Sequence, residues 1–226
     1  MQSVLNFPKA ENEKVKAFLS SFGCLPVTSP HMECRAKIND CAVTLYSNGK
    51  IVLQGKGVEE AKEKLLQALN SAPELVLGFD ETGRGEAFGP MVISAVLGDT
   101  NRLRELRDSK KTNKIAEKHA IASKNSLAQA SVSLNAEMID SLRANGLNLN
   151  EIEAKAIDKL IELFAELGVK AVVKVDGSAL KLKNKVEFIV KGDDLEPVIG
   201  AASVEAKFLR DNSADAAKRK SWNLKK

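Results

Sequence analysis

The stretch that most constrains the fold is a pair of apolar runs, residues 75–80 and 91–97, joined by a glycine-rich segment that closes with Gly89-Pro90. Both runs are short and almost continuously apolar, the pattern of strands buried on both faces. Strands of that kind need helices to cover them. The sequence around them supplies candidates at 101–107, 114–122, 136–144 and 150–167, the last long and amphipathic. Another candidate, 198–211, is rich in small residues (Gly200, Ala201, Ala202, Ser203) that let a helix approach a sheet closely. Further strands are expected at 130–134, 169–176 and 186–190. Strands alternating with helices predict an α/β domain built on a mixed sheet.

The first 70 residues have a different pattern and predict a small α+β unit. Val15, Phe18, Leu19 and Phe22 recur at helical spacing over 12–22. Residues 34–38 and 41–46 suit short strands turned at Asn39-Asp40. Asn48-Gly49 separates two β-rich runs, a strong hairpin signal. Val58, Ala61, Leu65, Leu66 and Leu69 share one face of a helix over 57–69. Asn70-Ser71-Ala72-Pro73 is a linker composition. The chain therefore divides into 1–70, a linker at 71–74, and 75–226. The basic, polar segment 214–226 has the composition of a solvated terminal tail.

Composition narrows the chemistry. The apolar fraction of 44% and charged fraction of 28% are those of a globular protein, and the net charge of +4 suits a polyanionic partner without requiring one. Aromatic residues make up only 4% of the chain, which argues against base stacking as the main mode of nucleic-acid binding. Cys24, Cys34 and Cys41 lack zinc-site spacing and read as reduced thiols, and His31 and His119 sit in no motif. No apolar run is long enough to span a membrane and no signal peptide is visible, so a cytoplasmic location is expected.

Asp80 and Glu81 end the first apolar run, and Asp176 and Asp193 follow later ones. Ligand sites in open α/β sheets gather at the carboxyl ends of strands, so these four carboxylates are candidates to converge. Adjacent strand residues point to opposite faces, so Asp80 and Glu81 need a bend at the strand end, for which Gly83 is the candidate. An all-oxygen cluster without histidine suits Mg²⁺ or Mn²⁺ rather than Zn²⁺. The glycines that follow leave backbone N–H groups free to meet a phosphate. A hard-metal site beside a phosphate cradle is what hydrolysis of a phosphodiester requires.

Asp80-Glu-Thr-Gly-Arg-Gly-Glu-Ala-Phe-Gly-Pro90 resembles the signature of the type 2 ribonucleases H, the group that contains ribonucleases HII and HIII. Asp108-Ser109-Lys110-Lys111, Val175-Asp176-Gly177, Lys191-Gly192-Asp193 and Ala201-Ala-Ser-Val-Glu-Ala-Lys207 followed by Arg210-Asp211 are similar to that family's later motifs, in the same order. Val43-Thr-Leu-Tyr-Ser-Asn-Gly-Lys-Ile-Val-Leu-Gln-Gly55 resembles the N-terminal domain of ribonuclease HIII, which is TATA-binding-protein-like. Gly83-Arg84-Gly85, by contrast, has the form typical of HII. The resemblance implies a ribonuclease H-like mixed sheet flanked by helices and a two-metal site of Mg²⁺ or Mn²⁺ held by Asp80, Glu81 and Asp176. By motif alone the fourth ligand is Asp193 or Asp211, and the position of Asp193 after a strand favours it.

What the resemblance implies for activity is endonucleolytic cleavage of the RNA strand of RNA–DNA hybrids, leaving 3′-hydroxyl and 5′-phosphate ends. The alternatives are HII-like cutting at single ribonucleotides in duplex DNA, or hybrid binding without catalysis. It implies contact of Gly83, Arg84 and Gly85 with the 2′-hydroxyl and neighbouring phosphate, phosphate binding by Lys110 and Lys111, and support of the site by Ser203 and Lys207. The N-terminal unit becomes a substrate platform, with Lys50, Lys56, Lys62 and Lys64 as candidates to follow a phosphate backbone. No obligate protein partner is expected. Family members generally continue through further C-terminal helices, where this chain has a short basic segment, and its single tyrosine, Tyr46, lies in the N-terminal unit.

Overall fold

The computed structural model describes residues 2–7, 9–69, 74–104 and 115–223. They form two compact units, divided between residues 73 and 74.

In the first unit, β1 (Gln2–Asn6), β2 (Met32–Ile38), β3 (Cys41–Tyr46) and β4 (Lys50–Gly55) form an antiparallel sheet in the order β1-β4-β3-β2. The two sharp turns use left-handed residues, Asn39 (φ 52°) and Gly49 (φ 85°). A side chain at Gly49 would collide with the Phe7 carbonyl oxygen. Helices α1 (Asn12–Ser20) and α2 (Val58–Ala68) supply Val15, Leu19, Ala61 and Leu65 to a core with Leu5, Ile38, Val43 and Leu53. The N-terminal strand β1 is absent from the sequence reading. Its five residues carry little pattern of their own, and the register Val4↔Val52 with a distant strand makes it a strand. All three cysteines carry free thiols.

The second unit holds the mixed sheet, ordered β7-β6-β5-β8-β9. Its strands are β5 (Leu75–Thr82), β6 (Met91–Asp99), β7 (Ala128–Leu134), β8 (Val172–Asp176) and β9 (Glu187–Ile189). Strand β6 runs antiparallel to β5 and β7, whereas β8 runs parallel to β5 and β9. The helices are α3 (Thr100–Leu103), α4 (Ile115–Asn125), α5 (Ala136–Ala144), α6 (Leu149–Glu166), α7 (Gly192–Leu195) and α8 (Pro197–Asp211). Leu77 and Phe79 of β5 face a core that includes Ile139 of α5 and Ile157 and Leu160 of α6. Val76, on the opposite face, packs with Leu103, Ala122, Val198, Ala201 and Ala202 from α3, α4 and α8. The alternating side chains of one strand thus serve two cores, which is why its sequence is apolar throughout.

Gly78 sets how closely α8 lies on the sheet. A Cβ there would stand 2.8 Å from the Ile199 nitrogen and from the Val198 carbonyl carbon. The small residues of α8 serve this approach: Ala201, Ala202 and Ala206 are fully buried and Ser203 nearly so.

The helix read at 101–107 is described only as α3, ending at Leu103, and residues 105–114 lie outside the described residues, as do Lys110, Lys111 and linker residues 70–73. The segment read as a solvated tail is in part docked: residues 216–218 and 220 are exposed, but Arg219 and Ser221 are buried. Gly89 N–H donates to the Ala217 carbonyl (3.0 Å) and Arg219 N–H to the Ala87 carbonyl (2.9 Å). Arg219 is 2% exposed, and its Nε and Nη2 both donate to the Gly89 carbonyl, at 3.0 and 2.9 Å. Asp140 of α5 accepts from Lys220 N–H, Ser221 N–H and the Ser221 hydroxyl. The tail's polar composition serves carbonyl and carboxylate partners far away in sequence. No helix among the described residues is long and apolar enough to cross a membrane.

Candidate active site

The site forms where two parallel strands stop pairing. Strand β5 stays paired to β6 through Asp80↔Ser94, Glu81↔Ile93 and Thr82↔Val92. Its pairing with β8 ends at Phe79↔Val175, one residue before Asp176. The carboxyl ends of β5 and β8 therefore place Asp80, Glu81 and Asp176 side by side. Ligand oxygens of all three lie within 4.8 Å of one another. The β6 pairing continues through Thr82, so the chain bends only after both carboxylates. The turn follows at Gly83 (φ 80°), which is packed beneath the Pro90 carbonyl and the Arg210 side chain. The two neighbouring carboxylates keep to opposite faces, Asp80 toward Ser203 of α8 and Glu81 toward Arg84, and converge around the strand end.

The electrostatics are those of a cation site. Burial, opposed by the Ser203 hydrogen bond and reinforced by the Glu81 and Asp176 charges, pushes the Asp80 carboxyl up to about 7. Burial also raises Glu81, with Arg84 opposing it. Like charges confined together disfavour ionisation, and a bound cation would relieve that. Three carboxylates within 4.8 Å of one another, with no thiolate or imidazole in the group, are a donor set for a hard divalent ion. The residues present therefore fit Mg²⁺ or Mn²⁺.

The surrounding shell fixes these ligands. The Asp176 carboxylate accepts from the Gly192 N–H at 2.5 Å. A Cβ at Gly192 would crowd this approach, standing 2.7 Å from Ile199 Cδ1 and 3.1 Å from Asp176 Oδ1. Asp80 Oδ1 accepts from the Glu81 N–H at 2.8 Å. On α8, Lys207 Nζ donates to the Ser203 hydroxyl at 3.0 Å, and Ser203 in turn bonds Asp80.

Asp193 is not among the three converging ligands. It lies in the first turn of α7, after β9 has ended at Ile189, and not at the strand end itself. It follows directly on Gly192, whose amide holds Asp176. Asp211 is exposed at the C-terminal end of α8 and is also outside the converging group. Of the glycine turn, Gly83 is buried, and Gly85 is exposed with open space around it. In the N-terminal unit, Lys62 and Lys64 are paired with Glu59 and Glu60, at 3.9 and 2.9 Å, so much of their charge is offset locally.

The residue that sequence reasoning missed is Glu153. It is 3% exposed on α6, and its carboxyl is pushed up to about 7 by burial and by the charge of Glu81, with Arg84 opposing. Arg84 Nε lies 3.2 Å from Glu153 Oε2, close enough for charge attraction but not aligned as a hydrogen bond, and Arg84 Nη2 donates to Asn150. A cavity of about 320 Å³ is lined by Glu81, Arg84, Asn150, Glu153 and Asp176. A wider cleft of about 630 Å³ adjoins it, bounded by Glu81, Arg84, Gly85, Arg143, Asn150 and Trp222. The available signal was a glutamate on the inward stripe of α6, between Ile152 and Ala156.

The family profile described as Ribonuclease HII matches residues 77–226, and one described as a domain of unknown function (DUF3378) matches residues 2–75. A ribonuclease HII of Xylella fastidiosa is 33% identical over 147 residues, and the match covers 63% of this chain and 61% of that protein. The chain thus spans less than two thirds of that relative's length. A ribonuclease HIII of Exiguobacterium sibiricum is 28% identical over 90% of this chain and 78% of its own. The solved structure of Bst-RNase HIII in complex with Mn²⁺ superposes with a TM-score of 0.56 at 19% identity, covering 93% of this chain and 80% of that one, and so shares the fold. The Ribonuclease HII profile takes in all three converging carboxylates and most of the 226 residues, and the chain belongs to the ribonuclease HII family.

Proposed function

We propose that this protein is an endoribonuclease that hydrolyses the RNA strand of RNA–DNA hybrids and leaves 3′-hydroxyl and 5′-phosphate ends. The observation that carries the reading is the convergence of Asp80, Glu81 and Asp176 at the ends of two parallel strands, in a family of ribonucleases. Two Mg²⁺ or Mn²⁺ ions held by these carboxylates would supply an activated water and neutralise charge on the leaving oxygen. Asp193 is the proposed fourth ligand, supported by its place beside the Gly192 amide that holds Asp176. Ser203 and Lys207 orient Asp80. The Gly83–Gly85 turn is proposed to meet the RNA backbone, where the 2′-hydroxyl distinguishes RNA from DNA. Lys110 and Lys111 are assigned phosphate contacts from their motif. Residues 1–70 would act as a substrate-binding platform and 75–226 as the catalytic domain, working in the cytoplasm without an obligate protein partner.

A second reading is supported by Gly83-Arg84-Gly85 and by the Ribonuclease HII profile: cleavage at single ribonucleotides within duplex DNA. Digestion of a labelled hybrid, a DNA duplex with one ribonucleotide and a double-stranded RNA, with and without Mg²⁺ or Mn²⁺, separates the two. The proposal expects metal-dependent products from the hybrid. Cutting of the single-ribonucleotide duplex alone would favour the second reading. Tight hybrid binding with no cleavage under either metal would make the protein a binding module.

A further inference from the structure

We infer that Arg84 is a positioning residue, braced by Asn150 and Glu153, that holds the glycine turn in the shape that prefers hybrid over all-DNA duplex. The inference rests on the proposed hybrid substrate. It assigns Glu153 a part in substrate discrimination and takes the Arg84 guanidinium away from the phosphates.

Asn148 caps α6 with a reciprocal bond to Glu151, which fixes where its first turn begins. Asn150 and Glu153, three residues apart, share a face. That face meets Arg84: Nη2 donates to Asn150, and Nε lies 3.2 Å from Glu153 Oε2. Glu153 is almost wholly buried, and Oε2 has no hydrogen-bond partner. A buried carboxylate in that state is costly unless a cation stays beside it. Moving the guanidinium to a substrate phosphate would leave the buried Glu153 without the cation that faces it.

Further contacts anchor the main chain of the turn. Gly83 lies under the Pro90 carbonyl, and Arg219 reaches toward the Arg84 carbonyl at 3.5 Å. With the side chain pinned to α6 and the backbone to the tail, Gly85 is the member of the turn that remains exposed at the wider cleft.

The test measures binding of a labelled hybrid and a labelled all-DNA duplex in EDTA over a range of salt. Wild type is compared with Arg84→Met, Arg84→Lys, Glu153→Gln and the double variant Arg84→Met/Glu153→Gln. The expected result is an unchanged salt slope for both duplexes, a roughly tenfold loss of hybrid preference in each single variant, and no further loss in the double. That size is what losing one well-placed interaction gives. Arg84→Lys should lose preference as well, since an ammonium cannot reproduce the planar fork between Asn150 and Glu153. The inference is overturned if Arg84→Met lowers the slope of log K against log salt by about one on both duplexes while Arg84→Lys preserves it, the signature of a direct phosphate contact. Thermal unfolding of the same four variants without nucleic acid checks the brace independently of substrate. Additive effects of Arg84→Met and Glu153→Gln would refute it, and non-additive effects would uphold it. If wild type showed no preference for hybrid, the proposed substrate would fall, and the unfolding cycle would still decide whether the brace exists.

Discussion

Asp80 shows how one residue links stability to activity. Its carboxyl rises from 3.8 to about 7 through burial and like charges, so the folded state holds the proton more tightly than the unfolded state. The stabilising contribution is complete below about pH 4 and is lost as pH rises toward 7, where the metal-free fold must carry a buried charge. In chelator at pH 8, Asp80→Asn should therefore unfold at a higher temperature than wild type, with a gain on the order of a few kcal/mol. The gain should vanish near pH 4. Mg²⁺ should raise the wild-type midpoint at pH 8 and leave the variant nearly unmoved. Hybrid cleavage by Asp80→Asn should fall by about 10³-fold, the equivalent of several kcal/mol of lost metal-assisted stabilisation. Cleavage at the wild-type rate would refute the metal-ion mechanism. Asp80, Glu81 and Asp176 were legible in the sequence because each ends an apolar strand. Glu153 was not, because an acidic residue on a long amphipathic helix usually faces solvent, and only the packing of α6 turns it inward.

The elements most sensitive to change are those whose backbones nearly touch. Gly78→Ala would drive a methyl into the Val198–Ile199 peptide of α8, and urea titration should show a loss of about 1–3 kcal/mol. The C-terminal segment has comparable leverage. Arg219→Ala would leave the buried Gly89 carbonyl without its guanidinium partner, and should cost about 2–4 kcal/mol and reduce kcat/KM by loosening the glycine turn. A variant with wild-type stability would mean that the segment does not support the turn. Most helices and strands were readable from their period and from their punctuation by glycine, proline and asparagine. The tail was not, since lysines and arginines look the same in solvent and under a carbonyl. Strand β1 was likewise unreadable, because pairing with β4 makes it a strand and its own residues do not.

At the scale of the whole molecule, each unit has its own core: Leu5, Val15, Leu53 and Leu65 in the first, and two cores on the faces of the mixed sheet in the second. Both the proposed metal ligands and the clefts belong to the second unit. Calorimetry in chelator should resolve two unfolding transitions, and added Mg²⁺ should raise only the one belonging to the second unit. One transition shifted as a whole would show that the units unfold together.

By itself the sequence determined the alternation of strands and helices and which apolar strands end in carboxylates, because hydrophobic period and strand-end chemistry are local properties. The tertiary structure decided what distance along the chain conceals. It brought Asp176 beside Asp80 by ending the β5–β8 pairing one residue early, buried Glu153 against Arg84, and folded a basic tail onto the glycine turn. Convergence depends on strand order and on the close approach allowed by Gly78 and Gly192, and those are set by packing across the sheet.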